Sequence, residues 1–62
     1  MVTDKNGKTV TSGCAVKFRE THTGRVIEIR EEISDLIVEE AIPGEGPVTW
    51  HVAASQCEVV GG

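Results

Sequence analysis

The sequence predicts a small all-β protein: a five-stranded barrel preceded by an N-terminal hairpin or arm. Two observations lead to this prediction. Short segments rich in β-branched residues recur at close spacing, and clear turn signals separate them. The length predicts a single domain over residues 1–62, with the hairpin or arm in 1–12, the barrel in 13–60 and a tail in 61–62. A chain this short buries only about 60% of its unfolded surface, so closing the sheet or pairing with a second copy would stabilise it.

The first predicted element is a hairpin around Asn6-Gly7, which has β-branched residues on both sides. Both residues tolerate positive φ, so we expect a two-residue type I′ turn at this point. Ser12-Gly13 then ends the segment.

Residues 14–20 alternate strictly, since Cys14, Val16 and Phe18 fall on one side of an extended strand. We expect residues 21–24 to form the turn that follows and residues 25–30 to form the second strand. The apolar residues of the second strand do not alternate cleanly, which predicts a bend or bulge after Gly24.

The second half of the chain is predicted to contain three more strands. Residues 31–41 are the least regular, and we favour a strand over 36–42 with a helical turn as the alternative. The remaining predictions are a Pro- and Gly-rich loop at 43–47, a strand at 48–52, a 3₁₀ turn at 53–56 and a last strand at 57–60.

The cysteines and the apolar pattern predict a cytoplasmic protein. Cys14 and Cys57 are too few for the disulfide framework of a small secreted domain, and no apolar run is long enough to target or anchor the chain in a membrane. We therefore expect two free thiols, which lie close together if the first and last barrel strands pair.

The net charge of −4 is unevenly distributed. Residues 1–25 carry five Lys and Arg against two acids, whereas residues 26–62 carry one arginine against eight acids. The overall charge disfavours nucleic acid. Lys17, Arg19 and Arg25 form one candidate phosphate-binding patch, although pairing with acids on neighbouring strands is the more common arrangement.

Two segments carry a resemblance to a known fold. Residues 12–18 (SGCAVKF) and 24–29 (GRVIEI) resemble the first strand pair of SH3-like barrels, in particular their KOW-type relatives, and residues 52–60 are similar to the 3₁₀ turn and final strand of those barrels. The resemblance implies a five-stranded SH3-like barrel. In KOW domains the loop between the two strands contacts RNA or protein, but here it is short.

Two looser similarities accompany this one. The spacing of Asp4, Gly7, Lys8, Val10 and Gly13 resembles that of short phage and mobile-element proteins. Residues 48–54 are faintly similar to the active-site strand of type II dihydrofolate reductases, which are also SH3-like barrels. Threonine, tryptophan and histidine replace the residues that carry activity in that family, so the similarity does not imply the reaction.

The residue types exclude several kinds of site. Phe18 and Trp50 are the only Phe, Trp or Tyr residues, too few for an aromatic groove or cage of the usual kind. Cys14, Cys57 and the two histidines lack the close pairing of zinc ligands. We expect no metal, no cofactor and no catalytic residues.

These observations predict a non-catalytic interaction module that contacts a protein partner or a second copy of itself. The candidate binding residues are Trp50, Lys17, Arg19 and Arg25, where Trp50 serves either as core or as a partly exposed anchor. Two alternatives stay open. One is a nucleic-acid-binding barrel that uses the basic patch, and the other is a sulfur-carrier or ubiquitin-like protein that ends in Gly61-Gly62.

Overall fold

The structure, a computed structural model, describes residues 1–60, which form one antiparallel sheet of five strands. The strands are β1 (Ala15–Phe18), β2 (His22–Arg30), β3 (Asp35–Ile42), β4 (Gly46–Ala53) and β5 (Glu58–Val59). The prediction of a five-stranded all-β fold is confirmed. Within residues 1–60 no helix has the length and apolar character needed to cross a membrane. Gly61 and Gly62, the predicted carrier terminus, lie outside the described residues.

The strand order is β4-β3-β2-β1-β5. Strands β1 to β4 follow one another as a meander, and a 3₁₀ turn at Ala54–Gln56 then leads the chain back to the other side of β1. β4 and β5 are therefore the two edges of the sheet, and no backbone ladder joins them within residues 1–60.

The turn between β1 and β2 lies earlier than the sequence predicted. Phe18 pairs with His22, so the loop consists of residues 19–21, and His22 and Gly24 belong to β2 rather than to the turn. The error arose because Gly24 is a packing residue. A Cβ at Gly24 would lie 2.5 Å from Cγ1 of Val38 and 2.7 Å from the carbonyl oxygen of Glu39, so only glycine allows β2 to approach β3 so closely.

The predicted irregularity in β2 is a bulge at Ile27. The register between β2 and β3 shifts between Val26 and Glu28. The shift leaves Val26 buried and Ile27 46% exposed, so the bulge explains why the apolar residues of this strand do not alternate.

The least regular stretch, residues 31–41, contains both predicted alternatives in succession. A 3₁₀ turn occupies Glu31–Ile33, Ser34 adopts a left-handed conformation with φ 53°, and β3 follows. The predicted strand and the helical turn are therefore both present, and the strand begins one residue before the predicted start.

Residues 2–10 form the N-terminal hairpin, in which Val10 N donates to Val2 O over 2.9 Å. Both valines are buried in the core. The expected type I′ turn is wrong, because Gly7 has φ 81° whereas Asn6 is not among the residues with positive φ. Gly7 N instead donates to Asp4 O, which gives a three-residue loop ending in a left-handed glycine.

Asp4 joins this hairpin to the edge of β5. Its Oδ1 accepts hydrogen bonds from the backbone of Asn6 and Lys8 over 2.9 and 2.8 Å, and its Oδ2 accepts one from Val59 N over 2.7 Å. Lys5 N donates to Cys57 O over 3.0 Å. The hairpin therefore covers the outer edge of β5, which would otherwise present unpaired backbone groups. The bond from Val59, with those from Lys8 and Asn6, lowers the pKa of Asp4 despite its burial.

The core is assembled from the N-terminal hairpin, strands β1 to β4, the second 3₁₀ turn and the residue that follows it. Its buried members are Val2, Val10, Val16, Phe18, Val26, Leu36, Val38, Val52, Ala54 and Cys57.

Pairing of the first and last strands could have made the two thiols neighbours, but the strand register separates them. Val16 pairs with Val59 and Lys17 with Glu58, so the same register places Cys57 beside the end of β1 at Phe18. Cys14 lies four residues away from that end, about 13 Å along an extended strand. Both cysteines are free.

Candidate binding groove

Three rings, Phe18, His22 and Trp50, meet at one end of the sheet. Phe18 ends β1 and His22 begins β2, and their ring centroids are 5.6 Å apart. Trp50, on the edge strand β4, lies 5.3 Å from His22 and 5.9 Å from Phe18. The two aromatic residues that the sequence provides therefore form a single cluster, which brings β4 next to the β1–β2 turn.

Glu40 of β3 holds this cluster in place. Its Oε1 accepts a hydrogen bond from Nε1 of Trp50 over 3.0 Å and lies 2.9 Å from Nδ1 of His22. The Glu40 side chain is only 16% exposed. Because the partly buried indole N–H has a carboxylate acceptor, the orientation of the Trp50 ring is fixed.

Arg19 covers a face of Trp50. The guanidinium carbon lies 4.8 Å from the centroid of the indole ring, within the range of a cation–π contact. Arg19 and the next residue, Glu20, have φ values of 50° and 66°. Two successive non-glycine residues in this conformation are uncommon, and such strain is concentrated at functional sites. This tight turn is what carries Arg19 next to Trp50.

An open groove of about 700 Å³ lies beside this turn. It runs between the end of β1, the end of β4, the second 3₁₀ turn and β5. Phe18, Val52 and Ala53 contribute apolar surface, and the other lining residues are Lys5, Lys17, Arg19, Glu20, His51, Ser55, Gln56 and Glu58.

The groove is the place where the positive charge of this acidic chain is concentrated. Half of the six Lys and Arg residues line it, against two of the ten acids. One of those acids, Glu58, pairs with Lys5 over 3.7 Å. Within residues 1–60, Lys17 and Arg19 form no salt bridge, so both charges are available to a ligand.

The structure brings together three of the four predicted binding residues. Lys17 and Arg19 line the groove, and the indole ring of Trp50 packs against the guanidinium of Arg19. Trp50 is half-buried and packs against the core. Arg25 does not line the groove. It faces Ala15 across the ladder, and its Nη1 donates to the carbonyl oxygen of Gly13 over 2.9 Å.

His22 and Glu40 belong to the site but were not predicted. His22 was assigned to a turn, which hid its place in β2. For Glu40 a signal was present: it shares a period-two face with the buried residues Leu36 and Val38. A carboxylate on an inward face requires a partner, and Trp50 and His22 provide it.

The chemistry that the groove can offer is set by its lining side chains. In the described part of the chain, no group of three or more His, Cys, Asp or Glu side chains is placed to hold a metal ion. The side chains that line the groove are three cations, two carboxylates, a histidine, amide and hydroxyl groups and a small apolar surface. Because Glu58 pairs with Lys5, the two remaining cations outnumber the one remaining acid, Glu20, which suits an anionic and partly apolar ligand. Comparison with protein-family models, with curated proteins and with solved structures finds no match to this chain.

Proposed function

We propose that this protein is a small non-catalytic interaction module and that the groove beside Arg19 and Trp50 is its binding surface. The observation that carries the proposal is the contact between Arg19 and Trp50. A tryptophan held by Glu40 positions an exposed arginine, free of any salt bridge in residues 1–60, at the rim of an open groove. Trp and Arg are the residues most enriched at binding hot spots.

The architecture that we propose for this module is an SH3-like barrel. Two features support it: β5 returns to pair with β1 after the meander, and a 3₁₀ turn connects β4 to β5. The contact between Trp50 and Phe18 brings the edge strand β4 close to the end of β1, as in a curved sheet. We propose a cytoplasmic setting, because both cysteines are free thiols.

Capture of a partner from an extract of the source cells tests the proposal. Wild type should retain a specific protein, and Arg19→Ala and Lys17→Ala should lose it. Arg25→Ala is the matched control, since it removes the same kind of charge outside the groove. If no protein is captured, or if all three variants capture it equally, the proposal fails.

Self-association is the second form that this module can take. β4 pairs with β3 on one side and has no backbone ladder on its outer side in residues 1–60, although Pro47 lies within it and removes one donor. Light scattering across a range of concentrations separates the two forms. A mass of one chain throughout would exclude pairing of copies and leave a different protein as the partner.

A nucleic-acid-binding barrel is the second candidate function. It is favoured by the convergence of Lys5, Lys17 and Arg19 on the same groove. Fluorescence anisotropy with labelled single-stranded DNA and RNA should then show binding at low salt that weakens as salt rises. No change in anisotropy at low salt would remove this candidate. The carrier alternative is not proposed, because residues 1–60 lack the long helix of ubiquitin-like folds.

A further inference from the structure

The contact with Trp50 orients the guanidinium of Arg19 but leaves its N–H donors free to form hydrogen bonds. A cation–π contact uses a face of the group, whereas its N–H donors point outward in the plane and suit a carboxylate. The other two arginines already have partners: Arg25 donates to Gly13 O, and Arg30 Nε lies 3.1 Å from Glu28. In residues 1–60, Arg19 is thus the arginine whose donors form no hydrogen bond or salt bridge with another protein group.

Lys17 provides a second free cation beside it. Lys17 is exposed on β1 and lies directly opposite Glu58 of β5. The Glu58 carboxylate, however, pairs with Lys5 from the N-terminal hairpin. The hairpin therefore neutralises the acid that would otherwise pair with Lys17, and two cations without a salt bridge in residues 1–60, Lys17 and Arg19, line the groove.

We infer that the groove binds an acidic peptide segment. One carboxylate of the peptide pairs with Arg19, a second pairs with Lys17, and a small apolar side chain packs on Val52 and Ala53. This inference rests on the proposed function and gives the chemistry of the partner. An Arg–carboxylate pair of this kind forms two parallel hydrogen bonds, so it also fixes the orientation of the peptide.

The same groove is poorly suited to nucleic acid. Glu20 lines it and the chain carries a net charge of −4, so a phosphate backbone, with a charge at every nucleotide, is repelled more than a peptide whose carboxylates are separated by apolar residues. Single strands also need exposed aromatic faces for base stacking. Trp50 is in contact with Arg19, Phe18 and His22, which leaves little of its ring for a base.

Titration of ¹⁵N-labelled protein with three probes tests the inference. The probes are a heptapeptide of alternating Glu and Val, the matched peptide of alternating Gln and Val, and a single-stranded oligonucleotide of the same charge as the first peptide. The Glu peptide should shift the amide signals of residues 17–20 and 51–56, and its affinity should fall as salt rises. The affinity for the Gln peptide should be at least about tenfold lower, because the hydrogen bonds between charged groups are lost.

Arg19→Ala should weaken binding of the Glu peptide about tenfold or more, and Arg25→Ala should leave it unchanged. Lys17→Gln provides a second variant in case Arg19→Ala disturbs the turn, and the dispersion of the amide signals verifies the fold of each variant. Equal binding of the Glu and Gln peptides, or tighter binding of the oligonucleotide, would overturn the inference.

The outcome separates this inference from the proposed function. If the groove variants abolish capture of a natural partner but the protein does not discriminate between the two peptides, the acidic-peptide inference is wrong and the groove remains the binding surface. If the variants affect neither capture nor peptide binding, both proposals are wrong.

Discussion

The indole Nε1 of Trp50 donates a hydrogen bond to Oε1 of Glu40 over 3.0 Å. This bond links the edge strand β4 to β3 through side chains, and the same oxygen lies 2.9 Å from Nδ1 of His22 on β2. One carboxylate thus connects the three strands β2, β3 and β4. The position of the ring under Arg19 depends on it.

Glu40→Ala should therefore lower the free energy of unfolding by about 1–3 kcal/mol, since it leaves the Trp50 N–H without its acceptor in a partly buried site. Glu40→Gln keeps an acceptor oxygen and should cost clearly less. Urea denaturation followed by fluorescence measures both, because Trp50 is the only tryptophan. If both variants lose the same free energy of unfolding, the hydrogen bond that Glu40 accepts from Trp50 is not the source of the stabilisation.

Gly24→Ala should destabilise the sheet, because the added Cβ would meet Val38 and the backbone of Glu39. Backbone atoms in a paired strand cannot move aside easily, and overpacking of this kind typically costs about 1–3 kcal/mol. The matched control is Thr23→Ala, the preceding and exposed residue of the same strand. If the two variants unfold at the same urea concentration, the close approach of β2 and β3 at this point is wrong.

The succession of β-branched segments and turn signals was sufficient to predict the five strands and the second 3₁₀ turn. It placed the β1–β2 turn wrongly because a glycine signals either a turn or a close approach of two backbones, and Gly24 serves the second purpose. The turn itself uses Arg19 and Glu20, residues that seldom adopt positive φ, so composition gave no sign of it.

The site was predicted only in part, because its contacts depend on how separate strands are placed relative to one another. Lys17, Arg19 and Trp50 were recognised by residue type, but the contact of Arg19 with Trp50 depends on how β4 lies relative to the β1–β2 turn. Periodicity within single strands carries no information on that placement. The role of Glu40 was in principle accessible, since an acid on an inward face requires a partner.

Asp4 should make the protein sensitive to acid. Hydrogen bonds from Val59, Lys8 and Asn6 lower its pKa in the folded state below the ordinary 3.8. Between the two pKa values the unfolded state binds more protons. The stabilisation by Asp4 is thus fully present above about pH 3.8 and is lost as the pH falls through the lowered pKa.

Asp4→Asn should lower the stability at pH 7 and flatten its dependence on pH below 4. Urea denaturation at several pH values measures this. Glu45→Gln, at an exposed turn position, is the control for loss of one carboxylate. If Asp4→Asn changes stability by the same amount at every pH, the ionised Asp4 carboxylate is not the group that joins the hairpin to β5.

Cys57 should be unreactive in the folded protein. Burial, followed by the charges of Asp35 and Asp4, raises the pKa of its thiol from 9.0 to about 11. The thiol form is favoured in the folded state, so this stabilisation is present below pH 9.0 and is lost as the pH rises through about 11. In a Cys14→Ser variant, iodoacetamide at pH 8 should label Cys57 only after urea is added. Rapid labelling without urea would contradict the buried position of Cys57.

The most direct test of the binding groove is site-specific photo-crosslinking in the source cells. Benzoylphenylalanine in place of His51 puts the reactive group in the groove, and the same amino acid in place of Ile33 puts it on a surface outside the groove that is 66% exposed. The groove position should give a discrete crosslinked product that disappears when Arg19→Ala is added, and position 33 should give none. A product at position 33 alone, or a product at position 51 that survives Arg19→Ala, would contradict the groove as the binding surface.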